Sequence, residues 1–196
     1  MQCKPVTALP AGERWTFEIK FDGSRCIAVK RAKDVMLFSR HQKVPGNSSK
    51  RKTPVKIAIL HGRNLDRLGK REPEIYGRAT LKDLEKLIRT EARRLGFSTV
   101  FFQSAHEGAL IDRIHALTDR GVDAFIVNFG AYSHTSIALY DALKASGLPA
   151  VEVHISDIKK REPFRRKSMT AGACVVMVSG QGFPGYIEAL RLLANQ

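Results

Sequence analysis

The most constraining feature of the chain is an alternation of short apolar segments and amphipathic segments that begins after Pro54. Five apolar runs of strand length follow one another, at residues 55–60, 98–103, 123–128, 149–155 and 173–178. Continuous apolar strands separated by helices are typical of a parallel sheet covered by helices on both faces. The pattern therefore predicts an α/β domain with a single five-stranded parallel sheet.

Capping residues and glycines mark the helices between these strands. Thr80 and Asp83 have the spacing of a capping box, and apolar residues then recur at helical spacing until Gly96. Further helices are predicted around residue 110, from about His134 to Ser146, and over residues 185–194. The complete pattern predicts a flavodoxin-like doubly wound fold.

Residues 1–43 have a different pattern. Three short runs with partial alternation, at residues 15–21, 25–31 and 35–40, indicate strands, and Asp22-Gly23 is a turn signal between the first two. Residues 44–54 have the Pro, Gly, Asn and Ser content of a linker. We therefore expect a small β-rich extension at 1–43, a linker at 44–54 and an α/β domain at 55–196.

The net charge of +14 suggests nucleic acid as a partner, but its distribution weakens that suggestion. Residues 1–54 hold 12 Lys/Arg against 4 Asp/Glu, and residues 55–196 hold 21 against 15. The shorter part thus carries most of the excess. The basic cluster at residues 159–167 suits a small anionic substrate as well as a phosphate backbone, so charge alone does not decide the function.

The three cysteines, Cys3, Cys26 and Cys174, are odd in number, widely spaced and outside any C-x-x-C pair. They indicate reduced thiols in a cytoplasmic protein. No apolar run approaches the roughly 20 residues that cross a bilayer, so no membrane partner is expected.

Polar side chains gather in the loops that follow the predicted strands. Parallel α/β sheets bind ligands beyond the carboxyl ends of their strands, so these side chains are expected to share one rim. The residues concerned are His61, Asn64, Arg71, Tyr76, His106, Glu107, Asn128, His134, His154, Ser156, Arg161 and Arg165.

Motifs in these loops resemble those of the type II 3-dehydroquinate dehydratases, in the family's order and close to its spacing. They are NLDRLGKREPEIYG, QSAHEGALIDRIH, VNFGAYSHTSIALYDAL, PAVEVHIS and REPFR. The resemblance implies dehydration of 3-dehydroquinate to 3-dehydroshikimate, in the shikimate pathway of aromatic amino acid biosynthesis or in quinate catabolism. It also implies no metal ion, no cofactor and no Schiff base, and a homo-oligomer, a dodecamer built from trimers.

The same resemblance implies roles for individual residues. Tyr76 would be the base that removes the C2 proton. A free tyrosine has a pKa near 10 and is mostly protonated at neutral pH, so the guanidinium of Arg71 would favour the phenolate form. His154 would protonate the departing hydroxyl and Glu152 would orient it. Asn64 would hold a water that stabilises the enolate oxygen.

Further residues match the family's substrate-binding positions. They are Asn128, His134, Asp141, the backbone at Ile155 and Ser156, and Arg165. Arg165 would pair with the substrate carboxylate in a fork geometry. The polar loop at residues 65–77 would close over the substrate as a lid.

The chain departs from the family pattern at three positions. The family usually has Asn-Gly-Pro-Asn where this chain has His61-Gly62-Arg63-Asn64, and a Ser-Asn opening where it has Ser156-Asp157. These changes leave every implied catalytic side chain in place.

Three other patterns are discounted. GQGFPG at residues 180–185 fits a dinucleotide fingerprint, but no strand or acidic residue follows at the required distance, so it predicts a tight strand-to-helix turn. Ser136 lies in no G-x-S-x-G elbow. His106, His134 and His154 match no zinc spacing, so no metal site is expected.

Residues 5–43 resemble the start of the adenylation domain of ATP-dependent DNA ligases, through PVTALPAGERWTFEIKFDGSRCIAVK and VMLFSR. Lys20 would match the adenylated lysine, and Arg25 and Arg40 would match nucleotide-contacting or neighbouring positions. The family's later metal-binding carboxylates and phosphate-binding lysines are missing, so we expect a fragment without ligase activity. The alternative is a nucleic-acid-binding or nucleotidyl-transfer protein that uses this basic segment.

Overall fold

The computed structural model describes residues 54–70 and 77–195 in full, and the backbone of residues 16–21, 24–31 and 34–39. Within these residues the strands are β1 (Thr16–Phe21), β2 (Ser24–Arg31), β3 (Asp34–Ser39), β4 (Val55–His61), β5 (Phe97–Gln103), β6 (Ala124–Asn128), β7 (Ala150–His154) and β8 (Val176–Ser179). The helices are α1 (Leu81–Arg94), α2 (Glu107–Asp119), α3 (Ile137–Ser146) and α4 (Pro184–Ala194). The chain divides into two compact units between Lys52 and Thr53.

The first unit contains an antiparallel sheet in the order β1-β2-β3. Phe21 pairs with Ser24 across β1 and β2, and Arg31 pairs with Asp34 across β2 and β3. The strands predicted for this segment are therefore confirmed. The expected Asp22-Gly23 turn and residues 44–53 of the expected linker lie outside the described residues.

The second unit is built on a parallel sheet in the order β5-β4-β6-β7-β8. All four strand pairs are parallel, as their near-continuous apolar sequences predict. With β4 as the first strand of this unit, the order is the 2-1-3-4-5 order of flavodoxin-like folds. The predicted fold class is confirmed.

Alternating side chains of the central strands supply two cores. Ile57 and Ile59 of β4 belong to a cluster with buried residues of α1 and α4, such as Ile88 and Leu190. Ala58 and Leu60 face the opposite cluster, which contains residues of α2 and α3. A central strand with both faces buried explains why β4 is apolar without interruption, and why helices cover both sides of the sheet.

The capping box predicted for α1 is present. The Thr80 hydroxyl accepts a hydrogen bond from the Asp83 N–H at 3.3 Å, and the Asp83 carboxylate accepts one from the Thr80 N–H at 2.9 Å. The Thr80 hydroxyl also lies 2.6 Å from the Asp83 carboxylate, and the hydrogen bonds from this hydroxyl and from the Thr80 N–H lower the pKa of Asp83. Gly96 follows the helix with a φ of 77° and ends it as predicted.

Two element boundaries were predicted wrongly. The third helix was expected from about His134, but α3 begins at Ile137, because the Ser136 hydroxyl accepts a hydrogen bond from the Leu139 N–H at 2.8 Å and caps the helix there. His134 instead ends a separate 3₁₀ turn, Gly130–His134. The last strand was expected at residues 173–178, but a 3₁₀ turn at Thr170–Ala173 displaces its start to Val176.

No helix within the described ranges is both long and apolar enough to span a membrane.

The turn after β4 imposes a steric requirement for glycine at position 62. A Cβ on Gly62 would lie 2.1 Å from the backbone oxygen of Phe129. Gly108, in the first turn of α2, has no atom within 4 Å of the equivalent position. The two sites form a matched pair for substitution.

We expect Gly62→Ala to lower the free energy of unfolding by more than about 2 kcal/mol, because backbone must move to accept the methyl group. Gly108→Ala is expected to be neutral or to stabilise by up to about 1 kcal/mol, because alanine is the better helix former. Urea denaturation of both variants measures the difference. Equal unfolding midpoints would contradict the close approach.

Candidate active site

A pocket lies at the carboxyl end of the parallel sheet, as the topology predicts. It is enclosed by the segments that follow β4, β6 and β7. Its lining residues are Arg63, Asn64, Leu65, Leu68, Asn128, Gly130, Ala131, His134, His154, Ile155, Ser156, Ile158, Arg161 and Arg165. Most of the polar rim predicted from the sequence is therefore brought to one place.

Some expected site residues do not line this pocket. His106 precedes α2 and is exposed, and Asp141 is exposed on α3. Asp141 lies outside because Leu139, Ala142 and Leu143 form the buried face of that helix. The expected base Tyr76 and its partner Arg71 lie outside the described residues, as does the central part of the expected lid.

The turns after β4 and β6 pack against each other and position Asn64. The Gly62 N–H donates a hydrogen bond to the Asn128 carbonyl oxygen at 2.8 Å. A Cβ on Gly130 would lie 2.7 Å from the Arg63 carbonyl oxygen, so these backbones approach closely. Asn64 has a φ of 68°, and among described residues it alone adopts a positive φ without being glycine. Asparagine tolerates this conformation better than most residues, which explains its presence at this sharp turn.

A buried carboxylate supports His154 at the end of β7. The His154 Nε2–H donates to Glu152 Oε1 at 2.6 Å, and the Thr170 hydroxyl donates to Glu152 Oε2 at 2.5 Å. Burial works against the charge on Glu152, but the hydrogen bonds from His154, Ser168 and Thr170 lower its pKa below the ordinary value. Glu152 is therefore ionised at neutral pH, and Nδ1 is the nitrogen of His154 that remains for a ligand.

His134 lies next to His154, with ring centroids 5.9 Å apart and the rings stacked. Its Nδ1–H donates to the Lys167 carbonyl oxygen at 2.8 Å, because a carbonyl only accepts. Burial, together with the charges of His154 and Arg165, lowers the pKa of His134. The neutral ring thus presents Nε2 as a hydrogen-bond acceptor.

The charges around the pocket favour an anionic ligand. Arg63, Arg161 and Arg165 all line it. Glu162 partly compensates, at 3.3 Å from Arg161 Nε and 3.4 Å from Arg165 Nε. A hydrogen bond from its own backbone, and then these guanidinium groups, lower the pKa of Glu162. A small carboxylate would find complementary charge here.

His61 stands where the family pattern usually has asparagine, and it is fully buried beneath the pocket. Neither ring nitrogen has a hydrogen-bond partner within the described structure. Burial lowers the pKa of His61 from 6.5 to about 3, so the ring is neutral at physiological pH. Its ring contacts Tyr186, with centroids 5.6 Å apart.

Sequence reasoning missed two polar residues around the site, Thr170 and Tyr186. Thr170 bonds Glu152 from a segment with no recognisable motif. Tyr186 lies in the predicted last helix without any assigned role, and its hydroxyl accepts a hydrogen bond from Asn128 Nδ2 at 3.0 Å. A tyrosine among leucines gives a weak signal of a polar contact. A buried hydroxyl requires a hydrogen-bond partner, but the sequence does not show which residue that partner is.

The glycine-rich segment between β8 and α4 forms the predicted tight turn. Gly180 and Gly182 have φ values of 80° and 63°, which other residues adopt with strain. A Cβ on Gly180 would lie 2.8 Å from Asp157 Cβ.

Within the described parts of the chain, no group of three or more His, Cys, Asp or Glu side chains has a metal-binding arrangement.

Comparison with known proteins identifies relatives of the second unit. The family described as dehydroquinase class II matches residues 55–194. The 3-dehydroquinate dehydratase of Caldicellulosiruptor saccharolyticus is 49% identical over 138 residues, which cover 70% of this chain and 95% of the relative. The 3-dehydroquinate dehydratase 1 of Agrobacterium fabrum is 51% identical over 139 residues, with 71% and 95% covered.

A solved structure of similar fold is the type II dehydroquinase of Butyrivibrio crossotus. It aligns with a TM-score of 0.71 at 38% identity, covering 73% of this chain and 99% of that one. The sheet and its flanking helices are therefore shared with enzymes of this family over nearly their whole length.

The burial of His61 predicts a specific dependence of stability on pH. The folded pKa is about 3 and the ordinary value is 6.5, so between these pH values the unfolded chain binds a proton that the folded chain does not. This contribution to stability is present above pH 6.5 and is lost as the pH falls.

As the pH falls through this range, we expect the free energy of unfolding of the wild type to decrease faster than that of His61→Asn. The difference in slope should be up to about 1.4 kcal/mol per pH unit. Denaturant titrations of both proteins at pH 7, 6 and 5 measure the difference. Parallel pH profiles would show that the buried ring accepts a proton in the folded state.

Proposed function

The chain belongs to the class II dehydroquinase family, and from this premise we propose that it converts 3-dehydroquinate to 3-dehydroshikimate with release of water. The observation that carries the proposal is the pairing of His154 with the buried Glu152 in a pocket that also contains Arg165, Asn128 and His134. The pathway served would be the shikimate pathway or quinate catabolism.

We assign the acid step to His154. Glu152 accepts the Nε2–H, which fixes the ring and directs Nδ1 to the ligand. Before the transfer, the His154 ring is an imidazolium whose positive charge is stabilised by the carboxylate of Glu152. Its Nδ1–H then gives the proton to the hydroxyl that leaves C1. The neutral ring that remains is still held by the same hydrogen bond.

We assign the base step to Tyr76, on the basis of the family resemblance. Its phenolate would take the C2 proton, and the electron pair would pass to the ketone oxygen as an enolate. When the C1 hydroxyl leaves as water, that pair would return to form the C1–C2 double bond and restore the ketone. Arg71, five residues earlier, would stabilise the phenolate. Asn64, at the sharp turn after β4, would hold a water that hydrogen-bonds the enolate oxygen.

Other pocket residues suit the rest of the substrate. The Arg165 guanidinium would pair with the carboxylate, and His134 Nε2 would accept a hydrogen bond from a ring hydroxyl. Asn128 and the backbone at Ile155 and Ser156 would complete the contacts. All of these positions line the same pocket, which supports their joint assignment.

Asp141 requires a different arrangement. It is exposed on α3 and lies outside the pocket of its own chain, so a substrate contact would have to be made in another copy. This agrees with the homo-oligomer implied by the family resemblance, which we propose to be the dodecamer of trimers.

The ligase-like segment plays no part in the proposed reaction. The family match begins at residue 55, and the segment ends before it. We expect the protein to act in the cytoplasm, where its three widely spaced cysteines would stay reduced.

Three substitutions test the assigned roles. We expect Tyr76→Phe and His154→Ala to lower kcat by about 10²- to 10⁴-fold, because each removes a proton-transfer group. Glu152→Gln is expected to lower kcat by a smaller factor, because the ring of His154 loses the charge that stabilises its protonated form. Steady-state kinetics with 3-dehydroquinate measures these changes.

His115→Ala is the matched control, because His115 is exposed on α2 and lies outside the pocket. It should retain wild-type kinetics. If Tyr76→Phe or His154→Ala kept full activity, the corresponding assignment of base or acid would be wrong.

A further inference from the structure

His61 and Asn128 are held side by side by the parallel sheet. They are register partners in β4 and β6, so their side chains point to the same face. Tyr186 of α4 covers that face and is itself fully buried. The three side chains therefore form one buried group beneath the pocket, and Asn128 is the member that lines it.

The orientation of the Asn128 amide follows from its neighbours. Its Oδ1 accepts a hydrogen bond from the Gly130 N–H at 3.2 Å, and a backbone N–H can only donate. The amide nitrogen must then face Tyr186, and Nδ2 donates to the Tyr186 hydroxyl oxygen at 3.0 Å. One N–H of Asn128 remains for a ligand in the pocket.

This arrangement creates a requirement at Tyr186. A hydroxyl that accepts from Asn128 still carries its own proton, which needs an acceptor when it is buried. Within the described structure Asn128 is the one hydrogen-bond partner of this hydroxyl. The buried group that still has an acceptor to offer is His61, whose two ring nitrogens are without partners and whose ring contacts that of Tyr186.

We infer that His61 is a positioning residue for Asn128: one of its ring nitrogens accepts a hydrogen bond that is relayed from the Tyr186 hydroxyl through one buried water. This relay keeps Tyr186 as an acceptor towards Asn128 and so keeps one amide N–H of Asn128 directed at the substrate. The inference rests on the proposed function for its kinetic consequence, but the hydrogen bond itself does not depend on it.

Neutral imidazole is required for this role, because the protonated ring has no acceptor. The low pKa of His61, about 3, satisfies that requirement at physiological pH. The role also differs from packing in its dependence on residue type. An asparagine offers an acceptor but fills less space than histidine, whereas a leucine fills the space and offers no acceptor.

The experiment compares His61→Leu, His61→Asn and Tyr186→Phe. We expect His61→Leu and Tyr186→Phe each to raise KM for 3-dehydroquinate about tenfold with kcat within about twofold of wild type, because Asn128 binds substrate and does not transfer a proton. His61→Asn is expected to keep KM within about threefold of wild type. The double variant His61→Leu/Tyr186→Phe should be no worse than either single variant, because both break the same relay.

Nitrogen NMR of the imidazole rings tests the hydrogen bond without any assay of activity. In the wild type at neutral pH, the unprotonated nitrogen of His61 should show the signature of a hydrogen-bond acceptor, and Tyr186→Phe should abolish it. If the wild type failed to turn over 3-dehydroquinate, the proposed function would fail while this spectrum still decided the relay.

Three results would overturn the inference: a wild-type His61 nitrogen that accepts no hydrogen bond, a His61→Leu variant with a smaller KM change than His61→Asn, or additive effects in the double variant. The second result would assign His61 to packing alone. Thermal unfolding of each variant identifies any that fails to fold, in which case the wild-type spectrum remains the deciding measurement.

Discussion

The parallel register of β4, β6 and β7 is the constraint on which the rest of the second unit depends. Parallel strands end at one edge, so the chain leaves the sheet at His61, Asn128 and His154 on the same side. Three separate loops then enclose a single pocket there. A shift of one residue in this register would move His61 and Asn128 to opposite faces and would remove the buried group that they form with Tyr186.

The buried carboxylate of Glu152 links stability to chemistry. A charge buried within the sheet is unfavourable unless it is hydrogen-bonded, and Glu152 meets this condition through His154 and Thr170. The same bonds orient the imidazole towards the pocket. The fold therefore retains an ionised group beside His154, the general acid that we propose, and removal of either partner would deprive that group of a hydrogen bond.

Much of the fold was predictable because its determinants are local or periodic. The apolar runs predicted every strand of the second unit, and Thr80 with Asp83 predicted the start of α1. The wrongly predicted boundaries reflect competition between short-range hydrogen bonds: Ser136 caps α3 three residues later than the apolar pattern suggests, and the turn at Thr170–Ala173 precedes β8. Both were ambiguous in a pattern that counts only apolar spacing.

The site was predictable only in part, because its contacts cross long sequence separations. The rim rule placed Asn64, Asn128 and His154 together, since it depends on strand ends alone. It could not find the Thr170 bond to Glu152 or the Tyr186 bond to Asn128, which join residues without a shared motif. The family resemblance, and not the rim rule, placed Asp141 near the substrate, although helix packing turns that side chain outward in its own chain.

The most direct test of the account is incubation of the full chain with 3-dehydroquinate while the absorbance of the conjugated product is recorded. The account predicts a steady increase that is proportional to protein concentration and is lost in His154→Ala. A folded wild-type protein that produced no increase would contradict the proposal that this pocket dehydrates 3-dehydroquinate.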